Sequence, residues 1–180
     1  METEMLVHMT NIKNLFLAMI AVFWLCASMY ATAAQAGDPD LLSVSLGAFD
    51  TFDDKTAVEG RVEYRSDLSL WNFKPLSGLM ITTDKTLYGY LGILIDLYFG
   101  QRVVITPSFA PGAWSRGDGK DLGHWIEFRS QLEFAYRLGD RSRIALSISH
   151  MSNAGLDSTN PGEESVMLTY AVPFSRLLHP

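Results

Sequence analysis

Apolar and polar residues alternate along most of the chain after residue 37, in segments of about ten residues bounded by turn residues. Residues 126–136 give the clearest case: every second side chain is apolar, interrupted only by Ser130, and the positions between them are charged or polar except Ala135. A period of two places successive side chains on opposite faces of a β-strand. The pattern predicts an all-β chain with eight strands, at residues 41–50, 57–66, 73–82, 86–98, 102–110, 125–137, 143–152 and 165–174.

Alternation alone fits two architectures. In a soluble periplasmic β-sandwich the apolar face points inward, whereas in a transmembrane barrel it meets lipid and the polar face fills the lumen. The polar rows mix Glu and Arg, as expected where opposite charges pair in a narrow lumen, and eight strands make a common small barrel. Aromatic residues near the strand ends resemble the girdles at a membrane interface; they are Tyr88, Tyr90, Tyr98, Phe99, Trp125 and Phe174. We therefore expect an eight-stranded antiparallel transmembrane β-barrel.

The connections between the predicted strands alternate in length. Residues 100–101 and 138–141 form short connections, whereas 111–124 and 153–164 form long ones. Outer-membrane barrels have short periplasmic turns and longer extracellular loops. This places the 153–164 loop on the extracellular side.

The first 36 residues have the composition of a secretory signal. Residues 15–26 form an apolar core, and Ala34-Gln35-Ala36 is a small-x-small cleavage site. The apolar run is shorter than the roughly 20 residues that a membrane-spanning helix needs. We expect cleavage of residues 1–36, which leaves 37–180 as one barrel domain in the outer membrane, and both Met1 and Met9 are open as the start.

Composition narrows the function further. The 180 residues carry 14 Lys and Arg against 20 Asp and Glu, a net charge of −6. A nucleic-acid-binding surface needs clustered basic residues, so that class of function is not expected. The single cysteine excludes a disulfide framework or a cysteine-rich zinc site.

Three polar residues interrupt the apolar face of the last predicted hairpin. His150 and Ser152 lie on the same strand face as the apolar side chains at 144, 146 and 148. In the next strand, Glu164 lies on the same face as the apolar row that begins at Val166. Polar groups on a lipid-facing surface are costly, which suggests a function. The neighbouring Glu163 lies on the opposite face of the strand.

The spacing of these three residues suits acyl transfer. Residues i and i+2 on a strand are roughly 7 Å apart, and the next strand lies about 5 Å away. His150 can then take the Ser152 proton while Glu164 orients the imidazole. The Asn153-Ala154-Gly155 turn offers backbone N–H groups for an oxyanion, and Asn160 offers an amide. An interfacial histidine with polar loop neighbours is the alternative interpretation.

The same stretch resembles a known family. The run His150-x-Ser152-Asn153-Ala154-Gly155, followed by Asn160 and Glu164-Ser165, is similar to the lipid A 3-O-deacylases (PagL-like). The resemblance implies an eight-stranded outer-membrane barrel with Ser152 as nucleophile, His150 as general base and Glu164 as the orienting acid. It further implies an oxyanion hole from the N–H groups of Asn153 and Gly155, with Asn160 as support.

The resemblance also implies a reaction and its partners. Such enzymes hydrolyse the ester-linked 3-hydroxyacyl chain at position 3 of lipid A, the membrane anchor of lipopolysaccharide in the outer leaflet, with no metal or organic cofactor. Lys120 and Arg116 are candidates to contact the lipid phosphates. A homodimer and a non-catalytic structural or adhesin-like barrel are open alternatives. Residues 175–180 depart from the terminal aromatic on which many outer-membrane barrels end.

Overall fold

The computed structural model describes residues 38–53 and 56–178, so the predicted signal segment, residues 1–36, lies outside the described residues. The described elements, in chain order, are β1 (Leu41–Phe49), β2 (Ala57–Arg65), β3 (Lys74–Thr82), β4 (Leu87–Leu94), β5 (Leu97–Phe99), β6 (Val103–Ser115), β7 (Ile126–Arg137), β8 (Arg143–Ser152), β9 (Glu163–Pro173) and the short helix α1 (Ser175–Leu178). Among the described residues, no helix is long and apolar enough to cross a membrane.

The strands close into an antiparallel barrel. Strands that follow one another in sequence are paired, except β4 and β5; in addition, β9 pairs with β1, and β4 pairs with β6. β4 and β5 are two parts of one barrel strand, since both pair with β6 in a single register, Ile93 with Phe109 and Leu97 with Ile105. Pro107 lies opposite the break and has no N–H to donate. The predicted eight-stranded barrel is thereby confirmed, with the break at residues 95–96.

The apolar faces of the strands point away from the lumen. Exposed side chains form a belt around the wall that includes Val44, Leu46, Val62, Leu79, Ile81, Leu91, Ile93, Phe134, Leu146 and Leu168. The alternate positions are buried and largely polar, including Ser43, Ser45, Glu59, Arg61, Glu63, Arg129 and Glu133. A soluble sandwich would have the reverse arrangement, so this alternative is wrong.

Ion pairs fill the middle of the lumen. Arg65 donates to both oxygens of Glu133 at 2.7 Å and to Glu63 at 2.8 Å. Arg129 also donates to Glu63, at 2.8 Å, and its guanidinium lies 4.0 Å from the centre of the Tyr90 ring. Buried charges are tolerated when they are paired in this way.

The two ends of the lumen differ. At the end where β8 begins, the fully buried Arg143 contacts Asp38 and Asp96. At the end where β8 finishes, a buried apolar cluster closes the interior; it contains Phe49, Met80, Tyr88, Trp114, Leu122 and Met151. The barrel wall therefore encloses a packed interior.

Three of the aromatic residues predicted as interfacial are in the lumen instead. Tyr88 and Tyr90 are buried, and Tyr98 is half-buried. The phenol of Tyr88 donates to the Ala110 carbonyl at 2.7 Å, that of Tyr90 to Glu63 at 2.9 Å, and that of Tyr98 to Asp38 at 2.7 Å. The lumen provides acceptors that hydrocarbon lacks, which explains their orientation. Trp125, by contrast, is exposed.

Several strand boundaries differ from the sequence prediction, and the largest difference is in β6. β6 continues to Ser115, so the following loop begins at residue 116 and not at 111. Beyond β9 the chain turns into α1, where Arg176 pairs with Asp140 of the β7–β8 turn.

Candidate active site

The β8–β9 hairpin brings His150 and Glu164 together on the outer face of the wall. They are directly opposed in the ladder, and the imidazole Nδ1 lies 3.0 Å from Glu164 Oε1. The two side chains are 52% and 39% exposed, so both are open to the barrel exterior. A carboxylate that accepts a hydrogen bond from Nδ1–H leaves Nε2 unprotonated, and Nε2 is then the basic nitrogen.

Ser152 is the last residue of β8 and lies on the same outer face, two positions beyond His150. It is half-buried and pairs with Phe128 of β7. Within the described residues, no hydrogen bond involves its hydroxyl, and the contact with His150 Nε2 is not formed. Such contacts often tighten only when the substrate binds.

Gly162 provides the space into which the imidazole extends. Continuing the β8–β9 register one residue beyond the Met151–Glu163 pair places Gly162 opposite Ser152. A Cβ at Gly162 would lie 2.8 Å from His150 Cε1 and 3.5 Å from Nε2. Its φ of +69° is also unfavourable for any other residue. Only glycine allows the ring to occupy this position.

The loop after Ser152 uses the backbone donors that the sequence assigns to an oxyanion hole. The Asn153 N–H donates to Asn160 Oδ1 at 3.0 Å, and the Gly155 N–H donates to Asn153 Oδ1 at 2.9 Å. Ala154 and Gly155 both have positive φ, +53° and +81°. A non-glycine residue in that region stores strain, which often occurs at functional sites.

The Asn153 side chain connects this loop to the β6–β7 loop. It is fully buried, and its Nδ2 donates to the carbonyls of Leu122 at 2.8 Å and Thr159 at 2.7 Å. The position of the residues after Ser152 therefore depends on both loops. The sequence pointed only to the Asn153 backbone, because contacts with the β6–β7 loop leave no local pattern.

The two cations considered for lipid phosphates have acidic partners. Lys120 Nζ donates to Asp50 at 2.7 Å and to Asp53 at 2.9 Å. Burial lowers the pKa of Lys120, but the hydrogen bonds to the two carboxylates raise it above its ordinary value. Arg116 pairs with Asp121 at 2.7 Å. Lys120 therefore links the β6–β7 loop to the β1–β2 loop, whereas Arg116 and Asp121 pair within the β6–β7 loop.

Glu163 occupies a different environment from Glu164, as their parity indicates. It is buried inside the barrel, where the Ser165 hydroxyl lies 2.9 Å from its Oε2 and 2.6 Å from Glu59 Oε2.

Within the part of the chain that the structure describes, no cluster of three His, Cys, Asp or Glu side chains is arranged to hold a metal ion. The exterior arrangement of hydroxyl, imidazole and carboxylate is suited to nucleophilic acyl transfer.

The chain is similar in sequence to known proteins. Residues 57–173 match the family described as lipid A 3-O-deacylase (PagL). The lipid A deacylase PagL of Bordetella bronchiseptica is 34% identical over 80 residues, which cover 44% of this chain and 40% of that protein. The chain thus matches less than half the length of this curated relative.

Two solved structures resemble the fold. The crystal structure of the outer membrane enzyme PagL has a TM-score of 0.60 and 19% sequence identity, and the match covers 74% of this chain and 99% of that one. Neisserial surface protein A has a TM-score of 0.51 and 7% identity, with 75% and 96% covered. At these identities the likeness concerns the fold alone.

Proposed function

The chain belongs to the lipid A 3-O-deacylase (PagL) family, and on that premise we propose that it hydrolyses the ester-linked 3-hydroxyacyl chain at position 3 of lipid A in the outer membrane. The observation that best supports the proposal is the His150–Glu164 pair on the exterior of the wall, 3.0 Å apart. A lipid-facing pair of polar side chains of this kind is costly to a purely structural barrel.

Ser152 is the proposed nucleophile. Its Oγ attacks the ester carbonyl carbon while its proton passes to His150 Nε2, and Glu164 stabilises the resulting imidazolium. The tetrahedral intermediate then expels the sugar oxygen at position 3, which takes the proton from His150. The products of this step are acyl-Ser152 and a 3-hydroxyl group on the sugar.

Hydrolysis of the acyl-serine reverses these roles. A water molecule gives a proton to His150 as it attacks the acyl carbonyl, and the proton returns to Ser152 when the 3-hydroxy fatty acid leaves. No metal or organic cofactor takes part in the proposed steps.

The proposed oxyanion hole uses the N–H groups of Asn153 and Gly155, supported by Asn160. In the structure these N–H groups donate to side-chain carbonyls. Substrate binding must therefore displace or share both hydrogen bonds. The backbone strain at Ala154 makes a change of this loop on binding feasible.

A site on the outer wall suits a membrane lipid. The lumen is filled by side chains and closed at the extracellular end by the apolar cluster around Trp114 and Met151. Lipid A reaches Ser152 by lateral movement in the outer leaflet, with its acyl chains against the exposed apolar belt. The proposed partner is thus lipopolysaccharide itself, and a homodimer is not needed to complete the site.

Mass spectrometry of lipid A tests the proposal. Purified barrel, folded in detergent, is expected to convert lipid A to a species that lacks one 3-hydroxyacyl group and to release the free 3-hydroxy fatty acid. Glu164→Gln should lower this rate by about 10²-fold or more, because the imidazole loses its charged partner. Glu163→Gln is the matched control, since its carboxyl group is inside the barrel, and it should keep near wild-type activity.

Two results would reject the proposal. One is an unchanged lipid A mass under conditions in which the protein shows the heat-modifiable gel mobility of a folded barrel, which would favour a non-catalytic barrel. The other is an equal loss of activity in the two glutamine variants, which would leave no special role for Glu164.

A second prediction concerns the space beside the imidazole. Gly162→Ala is expected to lower kcat by about 10²-fold with a smaller change in KM, because the added Cβ displaces His150 from the line to Ser152. Gly100→Ala is the matched control: its φ of +67° imposes similar strain, but a Cβ there meets no atom within 4 Å. Steady-state kinetics on folded barrels distinguish the two; equal losses in both variants would attribute the effect to backbone strain.

A further inference from the structure

One more polar side chain faces the exterior beside the candidate active site. Ser130 of β7 is exposed and interrupts an otherwise apolar row. It pairs with His150 of β8 on one side and with Phe109 of β6 on the other. Within the described residues, no hydrogen bond involves its hydroxyl. A hydroxyl exposed to hydrocarbon without a partner is unfavourable, so a ligand group is expected to satisfy it.

Ser130 lies between larger side chains on the outer face of the wall. On one side, the rings of Phe109 and Phe128 stack with centroids 6.1 Å apart and an interplanar angle of 12°. On the other side is the imidazole of His150. Because the serine side chain is smaller than these groups, an acyl chain that crosses Ser130 would lie beside the aromatic pair.

The register also fixes the depth of Ser130. Ser152 pairs with Phe128 near the end of the wall from which the 153–164 loop leaves. Ser130 pairs with His150, two residues farther from that end. The Cβ atoms of Ser130 and Ser152 are diagonal neighbours, roughly 7–8 Å apart. An acyl ester attacked by Ser152 extends its chain away from the loop end, so its third carbon passes close to Ser130.

We propose that Ser130 is a specificity residue that hydrogen-bonds the 3-hydroxyl of the acyl chain being removed. The inference rests on the proposed function and extends it to the choice of acyl chain. The hydroxyl of Ser130 both donates and accepts, and the 3-hydroxyl group does the same. A 3-hydroxyacyl ester gains this bond, whereas an unsubstituted acyl ester leaves Ser130 unsatisfied.

The test compares two synthetic glucosamine lipids that differ only in the 3-hydroxyl of the ester-linked chain. Wild-type protein is expected to prefer the hydroxylated ester in kcat/KM. Ser130→Ala should reduce this preference by about tenfold, by slowing the hydroxylated ester and leaving the other unchanged. Ser130→Thr keeps the hydroxyl and should keep most of the preference. Ser77→Ala is the matched control, an outward-facing serine of β3 on the opposite side of the barrel.

Each other outcome has a distinct meaning. If Ser130→Ala keeps the wild-type preference, or slows both esters equally, the specificity role is wrong. If wild-type protein cleaves both esters at the same rate, the role is also wrong, although the proposed function stands. If folded wild-type protein cleaves neither ester and leaves lipid A intact, the proposed function fails, and the role of Ser130 fails with it.

Discussion

Replacing Ser152 by alanine is expected to lower the rate of lipid A deacylation by about 10⁴-fold or more. The nearest serine of β9, Ser165, cannot substitute for it, because Ser165 points into the lumen, where it contacts Glu59 and Glu163. The side chain is small, half-buried and without a hydrogen bond, so the variant should fold as wild type does. Lipid A mass spectra of the two proteins, side by side, measure the effect.

The interpretation of this variant depends on its folding. Heat-modifiable gel mobility and the midpoint of denaturant unfolding should match those of the wild type. His150→Ala should give a loss of similar size, because nucleophile and base act as a unit. Retention of even a tenth of wild-type activity by folded Ser152→Ala would mean that another residue is the nucleophile.

The second large effect concerns stability. Arg143→Met is expected to lower the free energy of unfolding by about 3–5 kcal/mol, because it leaves buried carboxylates without their main partner. Arg143 Nη1 donates to Asp96 Oδ1 at 2.8 Å, and Nη2 contacts Asp38, Asp96 Oδ2 and Tyr98. Lys74 and Arg137 remain near Asp96 and Asp38, respectively, so part of the compensation persists.

Arg116→Met provides the comparison. Arg116 pairs with Asp121 at a similar distance, but the two side chains are 54% and 61% exposed. Loss of an exposed pair costs at most about 1 kcal/mol. Denaturant unfolding in the same detergent should separate the two variants clearly. Equal shifts would indicate that the buried network contributes no more than a surface contact.

Much of the fold follows from the alternation of residue types. In β7, from Ile126 to Tyr136, the period of two divides the side chains between two faces, and only the face that meets lipid has to be decided. The mixture of Glu and Arg on one face indicates that the other face meets lipid. The break at residues 95–96 was not predicted, because it arises from Pro107 on the neighbouring strand. Nor was the inward orientation of Tyr88 and Tyr90, whose hydroxyl groups find acceptors on other strands.

The candidate site was predictable to a similar extent. Parity along two strands is enough to place His150, Ser152 and Glu164 on one face, and the resemblance adds their roles. The hairpin register, however, had to be observed before Gly162 could be recognised as the residue opposite Ser152. The use of the Asn153 and Gly155 N–H groups within the loop depends on side-chain orientations that no spacing specifies.

The position of Ser152 at the end of β8 also has a consequence for turnover. The first half of the proposed reaction takes its substrate from hydrocarbon, and the second half takes its substrate from the aqueous phase. A nucleophile several residues deeper in the wall would be acylated readily but hydrated poorly, so the acyl-enzyme would accumulate or pass its acyl group to another lipid. A nucleophile farther out on the loop would be well hydrated but remote from the ester. At the end of the strand, the nucleophile can receive both the lipid ester and water. This position therefore favours a hydrolase over an acyltransferase.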